Sequence, residues 1–144
     1  MKKANLLIVT ILLFIGTTIN AQSNPIEAEF SLKLLSSRLY DYDIIEKKVT
    51  RGPVNMEGDN GFMVLYPNFA MGSSFVFEDL SYRLDDANIE RIDNQVKYFI
   101  KHADVEGYII YDYKKSILYV CTLFPGTIGY PNTIRIIEFK TKML

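Results

Sequence analysis

Residues Gly107 to Phe124 read Gly-Tyr-Ile-Ile-Tyr-Asp-Tyr-Lys-Lys-Ser-Ile-Leu-Tyr-Val-Cys-Thr-Leu-Phe. Two runs of β-branched and aromatic residues flank a short polar turn, which is the pattern of a β-hairpin. With the turn at Tyr113 to Ser116, Ile109 faces Val120 and Tyr111 faces Leu118, while Tyr108, Ile110, Tyr119 and Cys121 share the opposite side. Both sides are apolar, so the hairpin belongs in the middle of a sheet with material over each face.

Working outward, the first residues are of a different kind. Lys2 and Lys3 precede an apolar run from Leu6 to Ile15, and Thr17 to Ala21 is small and polar. This is the pattern of a secretory signal peptide cut after Ala21, and the apolar run is shorter than the roughly 20 residues a membrane span needs. The expected organisation is a signal peptide over 1–21 and one domain over 22–144, periplasmic or secreted, without a stable membrane anchor after cleavage. The chain carries 16 basic and 17 acidic residues, and Lys2 and Lys3 leave with the leader, so the mature balance is mildly acidic. That balance gives no footprint for nucleic acid. Cys121 is the single cysteine, so no internal disulfide forms and stability rests on the core.

In chain order, Asn24-Pro25-Ile26-Glu27 has the chemistry of a helix start. Ala28, Leu32, Leu35, Leu39, Tyr42, Ile45 and Val49 then follow at spacings of three and four, an apolar stripe that predicts a helix stopped by Gly52-Pro53. Ile26, Ala28, Phe30, Leu32 and Leu34 also alternate, a competing strand signal, and a break is expected near Ser36-Ser37 or Asp41. Gly52 to Gly61 reads as a loop. Phe62 to Tyr66 reads as a short strand, Asn68 to Ser74 as a loop, and Phe75 to Phe77 as a second strand. Asp85-Asp86 opens a second predicted helix, with Ile89, Ile92, Val96, Phe99, Ile100 and Ala103 on one face, ending near His102 or Asp104. After the hairpin, Pro125 to Asn132 is a loop and Thr133 to Lys140 a final strand. Its alternation changes phase between Ile134 and Ile136 on one side and Ile137 and Phe139 on the other, which calls for two covered faces or a bulge near Ile136.

The expected fold is therefore α+β: an antiparallel sheet of about five strands with two main helices packed on one face, in the order α-β-β-α-β-β-β. That element order resembles the roadblock and longin group of small binding domains.

The inventory for catalysis is thin. His102, the single histidine, sits at the predicted helix end, where it caps carbonyls. Cys121 falls in a buried run that offers no base or helix N-terminus to lower its pKa. Glu57, Asp59 and Asn60 lack the spacing of a calcium loop, and the glycines of Gly126 to Gly129 lack the lysine of a phosphate loop. Adjacent acids such as Asp85 and Asp86 suit turns and caps. No catalytic set, metal site or cofactor is expected. The tyrosines are more suggestive: Tyr108, Tyr111, Tyr113 and Tyr119 in the hairpin, with Ile128 and Tyr130 in the next loop, combine flat apolar area with hydroxyls. The expectation is an exported, non-catalytic binding or protein-interaction domain, its partner an unspecified protein or small molecule. The alternatives are a small hydrolase using Cys121 and His102, and a small-molecule carrier with a pocket between sheet and first helix.

Overall fold

The computed structural model describes residues 27–56, 61–74, 80–102, 105–123 and 132–144. Ten strands run through them: β1 (Phe30–Asp43), β2 (Lys48–Met56), β3 (Phe62–Leu65), β4 (Phe69–Ser73), β5 (Leu80–Arg83), β6 (Glu90–Ile92), β7 (Gln95–His102), β8 (Val105–Asp112), β9 (Ile117–Leu123) and β10 (Thr133–Met143). A single 3-10 turn, Asp86–Asn88, is the one helical element among the described residues. The protein is thus an all-β, antiparallel structure, and the expected α+β fold with two main helices is overturned. The likeness in element order to roadblock and longin domains goes with it.

The reason lies in β1. Leu32 and Leu34 point into the core, as do Ser37 and Asp41, which are also buried. The register against β10 shifts between Leu34, paired with Thr141, and Ser36, paired with Lys140. Leu35 is the extra residue of a β-bulge, and it moves the inward set from even to odd positions. A strand whose phase slips once, with further slips against β2 between Leu39 and Tyr42, reproduces spacings of three and four. The apolar stripe over Ala28 to Val49 arises in this way, and the expected break near Ser36-Ser37 and Asp41 coincides with the bulges. The supposed stop at Gly52-Pro53 and the expected loop as far as Met56 are instead part of β2, residues 57–60 lie outside the described residues, and Asn68 to Ser74 contains β4. The predicted strand Phe75 to Phe77, the helix start at Asn24 to Ile26 and the leader lie outside the described residues.

The second predicted helix is the segment on either side of a tight β-turn. Val96, Tyr98 and Ile100 are buried while Lys97, Phe99 and Lys101 alternate with them on the other side. Apolar residues on both sides gave the false helical spacing. Asp85 does cap: its side chain accepts from the Ala87 N–H, 3.2 Å, and the Asn88 amide, 2.7 Å. What it caps is one 3-10 turn.

The sheet order is β5-β4-β3-β1-β10-β9-β8-β7-β6, with β2 paired to β1 beyond β3. The sheet curls into a half-barrel whose two ends meet: Leu84 bridges to Ile100, and the Asp85 N–H donates to the Phe99 carbonyl, 2.9 Å. β2 and β3 lie end to end along β1, and β5 and β6 end to end along β7. The connectivity is therefore an up-and-down meander closed by β1 against β10. Inside, Leu32, Leu34, Met63, Leu65, Tyr98, Ile109, Tyr111, Leu118, Val120 and Phe139 are at most 1% exposed, so side chains fill the interior. Phe30 meets Tyr111 edge to face, 4.9 Å between ring centres.

Candidate functional site

The β8–β9 hairpin has the register read from its sequence: Ile109 pairs with Val120, Tyr111 with Leu118, Tyr108 with Cys121 and Ile110 with Tyr119. The turn is fixed by the Asp112 carboxylate, which accepts from the Lys115 N–H, 2.9 Å, and the Gln95 amide, 3.1 Å. These bonds hold that carboxyl below its usual range, the one from Gln95 contributing most.

Pairing continues across neighbouring strands. Phe99 pairs with Tyr108, Tyr108 with Cys121, Cys121 with Ile136, and Ile136 with Tyr40. Paired residues project to the same side, so these five form one row across β7, β8, β9, β10 and β1, roughly 19 Å wide, on the outside of the half-barrel. A second row, two residues along, runs Lys97, Ile110, Tyr119, Glu138 and Arg38. The apparent phase change in the last strand is explained: β10 is regularly paired from Ile134 to Lys140, with Ile137 and Phe139 inward and Ile134 and Ile136 in the outer face.

Charges frame this face and are already matched. The Lys97 ammonium lies 4.7 Å from the Phe99 ring centre and 4.6 Å from that of Tyr108, a double cation–π contact, and 3.6 Å from Glu90. Arg38 and Glu138 pair at 2.5 Å. Burial raises the hydroxyl pKa values of Tyr40, Tyr108 and Tyr119, and Glu138 adds to the effect at Tyr40 and Tyr119.

Cys121 sits at the centre of the row and is 3% exposed. Burial pushes its thiol up to about 12, against smaller lowering effects of the Tyr108 hydrogen bond and Lys97. A thiol that is protonated at neutral pH and out of water is the reverse of an activated nucleophile. His102 pairs with Val105, three residues along β7 from the row that holds Cys121, so about 10 Å of strand rise separates their rows. No cluster of metal-ligating side chains occurs among the described residues.

Of the tyrosines singled out in the sequence, Tyr108 and Tyr119 come together on the outer face. Tyr111 points the other way and is a core residue, 1% exposed. Tyr113 is exposed in the turn and its hydroxyl donates to the Asp93 carbonyl, 2.8 Å. Ile128 and Tyr130 lie outside the described residues. Sequence reasoning missed Tyr40, Phe99 and Lys97 because it placed them on helices. The signal was present in the alternation of Val96, Tyr98 and Ile100 with Lys97, Phe99 and Lys101.

Phe99 also lines an open depression of about 550 Å³ with Asp85, Ala87, Asn88, Ile89 and Glu90, formed where the 3-10 turn interrupts the pairing to β7. The chain matches no family model, no curated protein and no solved structure.

Proposed function

We propose that the protein is an exported, non-catalytic binding domain that presents the outer aromatic face of β7 to β10 and β1 to a partner; the Pro125 to Asn132 stretch expected to share that role lies, but for Asn132, outside the described residues. One observation carries this reading: a half-buried row of rings lies outside a core that is already filled, and the charges beside it are already paired. Apolar centres with polar rims are the usual anatomy of contact surfaces. The basic, apolar and small-residue segments of residues 1–21 support export. The buried, protonated Cys121 weighs against a thiol hydrolase, and the filled interior weighs against a carrier, whose first helix is a strand.

The test is site-specific photocrosslinking in producing cells. A benzophenone amino acid in place of Tyr119 should yield a discrete adduct, and the same group at Lys114, in the exposed turn, should not. Adducts at neither position, or the same adducts at both, would count against a binding face.

A further inference from the structure

In the β1–β2 hairpin, β1 is paired with β10 as far as Asp43, whereas β2 forms a free outer edge. Among the described elements β2 contacts β1 alone, and every residue from Lys48 to Asn55 is exposed. Its turn is rigidly built. The Asp43 carboxylate accepts from the N–H groups of Ile45 and Glu46, 2.8 Å each, the Ile44 N–H donates to the Asn132 carbonyl, 3.1 Å, and Lys47 has a positive φ of 54°. At the apex this scaffold displays Ile44, 42% exposed, and Ile45, 68% exposed. Turns of this kind ordinarily carry Gly, Pro, Asn, Asp or Ser, which supply the required φ or bond the local backbone, and two adjacent isoleucines do neither. Val49, also exposed, pairs with Tyr42 just behind the apex. The local charge is cationic: Asp43 is turned into its own loop, Glu46 is paired with Lys48, and Lys47 and Arg51 have no ion pair among the described residues.

We propose that this hairpin is a membrane-dipping tip, in which Ile44 and Ile45 enter the boundary between headgroups and acyl chains of a bilayer while Lys47 and Arg51 meet anionic headgroups. A convex point of two aliphatic side chains needs no shaped pocket in a fluid layer, whereas a protein partner would have to supply one. The free cations beside it complement phosphate and not an apolar protein cavity. At the far end of β1 from this tip, the Leu144 N–H donates to the Ser31 carbonyl, 2.9 Å. The contact is peripheral and reversible; no helix of the described residues is long and apolar enough to cross a membrane. It is independent of the aromatic face.

Flotation of the purified protein with vesicles of phosphatidylethanolamine and phosphatidylglycerol, three to one, tests it. The protein should float with the lipid. Ile44→Ser with Ile45→Ser should lower the partition coefficient about tenfold or more, and Lys47→Glu, at an exposed position that leaves folding intact, about fivefold. Circular dichroism melts check that each variant is folded. Failure of the unaltered protein to float at millimolar lipid overturns the proposal, as does flotation of the serine pair or the Lys47 variant at the unaltered level. A lipid-free dimer in sedimentation velocity that the serine pair abolishes would assign the tip to a second copy, and equally overturns it.

Discussion

Ser37 is buried in β1 at 2% exposure, paired in register with Phe139, and its hydroxyl has no hydrogen-bond partner among the described residues. A buried hydroxyl without a partner carries the loss of its hydration and gains nothing for it. Ser37→Ala should therefore raise stability by about 1 kcal/mol, read as a higher urea midpoint with an unchanged slope. Asn68 Oδ1 is the other buried side-chain atom without a partner among the described residues, while several further polar groups near the interior are paired. Asp41 accepts from the Arg135 side chain, 3.0 Å, and Glu29 accepts from both the Tyr98 hydroxyl and Arg91, reaching from the start of β1 to the β6–β7 wall opposite. Gly107 marks a different constraint, since a Cβ there would meet the Cys121 carbonyl oxygen at 2.1 Å. Only glycine lets β8 and β9 approach at that point, beside the aromatic row.

At the level of single elements, the bulge at Leu35 decides what β1 can tolerate. Removing Leu35 leaves Leu32, Leu34, Ser37 and Asp41 facing inward, because the bulge residue is the one that breaks the alternation. Removing Glu138 from the regularly paired β10 instead reverses the facing of Phe139 and Thr141 relative to Ile137. Deletion of Leu35 should keep a cooperative thermal transition, and deletion of Glu138 should cost several kcal/mol or abolish it, as measured by calorimetry. The same bulge explains what the sequence could reveal. The β8–β9 hairpin was legible down to its register because both strands alternate without interruption and Asp112 to Ser116 has strong turn chemistry. β1 was not, because one inserted residue converts a period of two into spacings that imitate a helix. β7 was misread for another reason: Phe99 belongs to the outer face, so a strand with apolar residues on both sides lost its contrast. The candidate site inherited both errors. Tyr108 and Tyr119 could be grouped from hairpin parity, while Tyr40 and Phe99 could be added only with the strand order in hand.

For the molecule as a whole, the concentration of half-buried and buried weak acids has a pH consequence. Burial raises the pKa of Tyr40, Tyr82, Tyr98, Tyr108 and Tyr119 above the ordinary value of 10.0, with a hydrogen bond to Glu29 adding to it at Tyr98, and raises Cys121 from 9.0 to about 12. As pH rises past 9, the unfolded chain releases protons that the folded chain keeps, so stability is fully present below that point and declines above it. The urea midpoint should fall between pH 8 and pH 11, and Cys121→Ala should reduce the early part of that decline. A midpoint independent of pH over this range would contradict the burial of these groups.

The pairing of β1 with β10 also governs how the molecule comes into being. The first described strand finds one of its neighbours only in the last described one, with Leu32 opposite Met143. Ring closure must therefore wait until β10 is available, and until then the longest strand lacks one partner. Such non-local closure slows folding, because the loop entropy of the whole meander is spent before the seam between β1 and β10 rewards it.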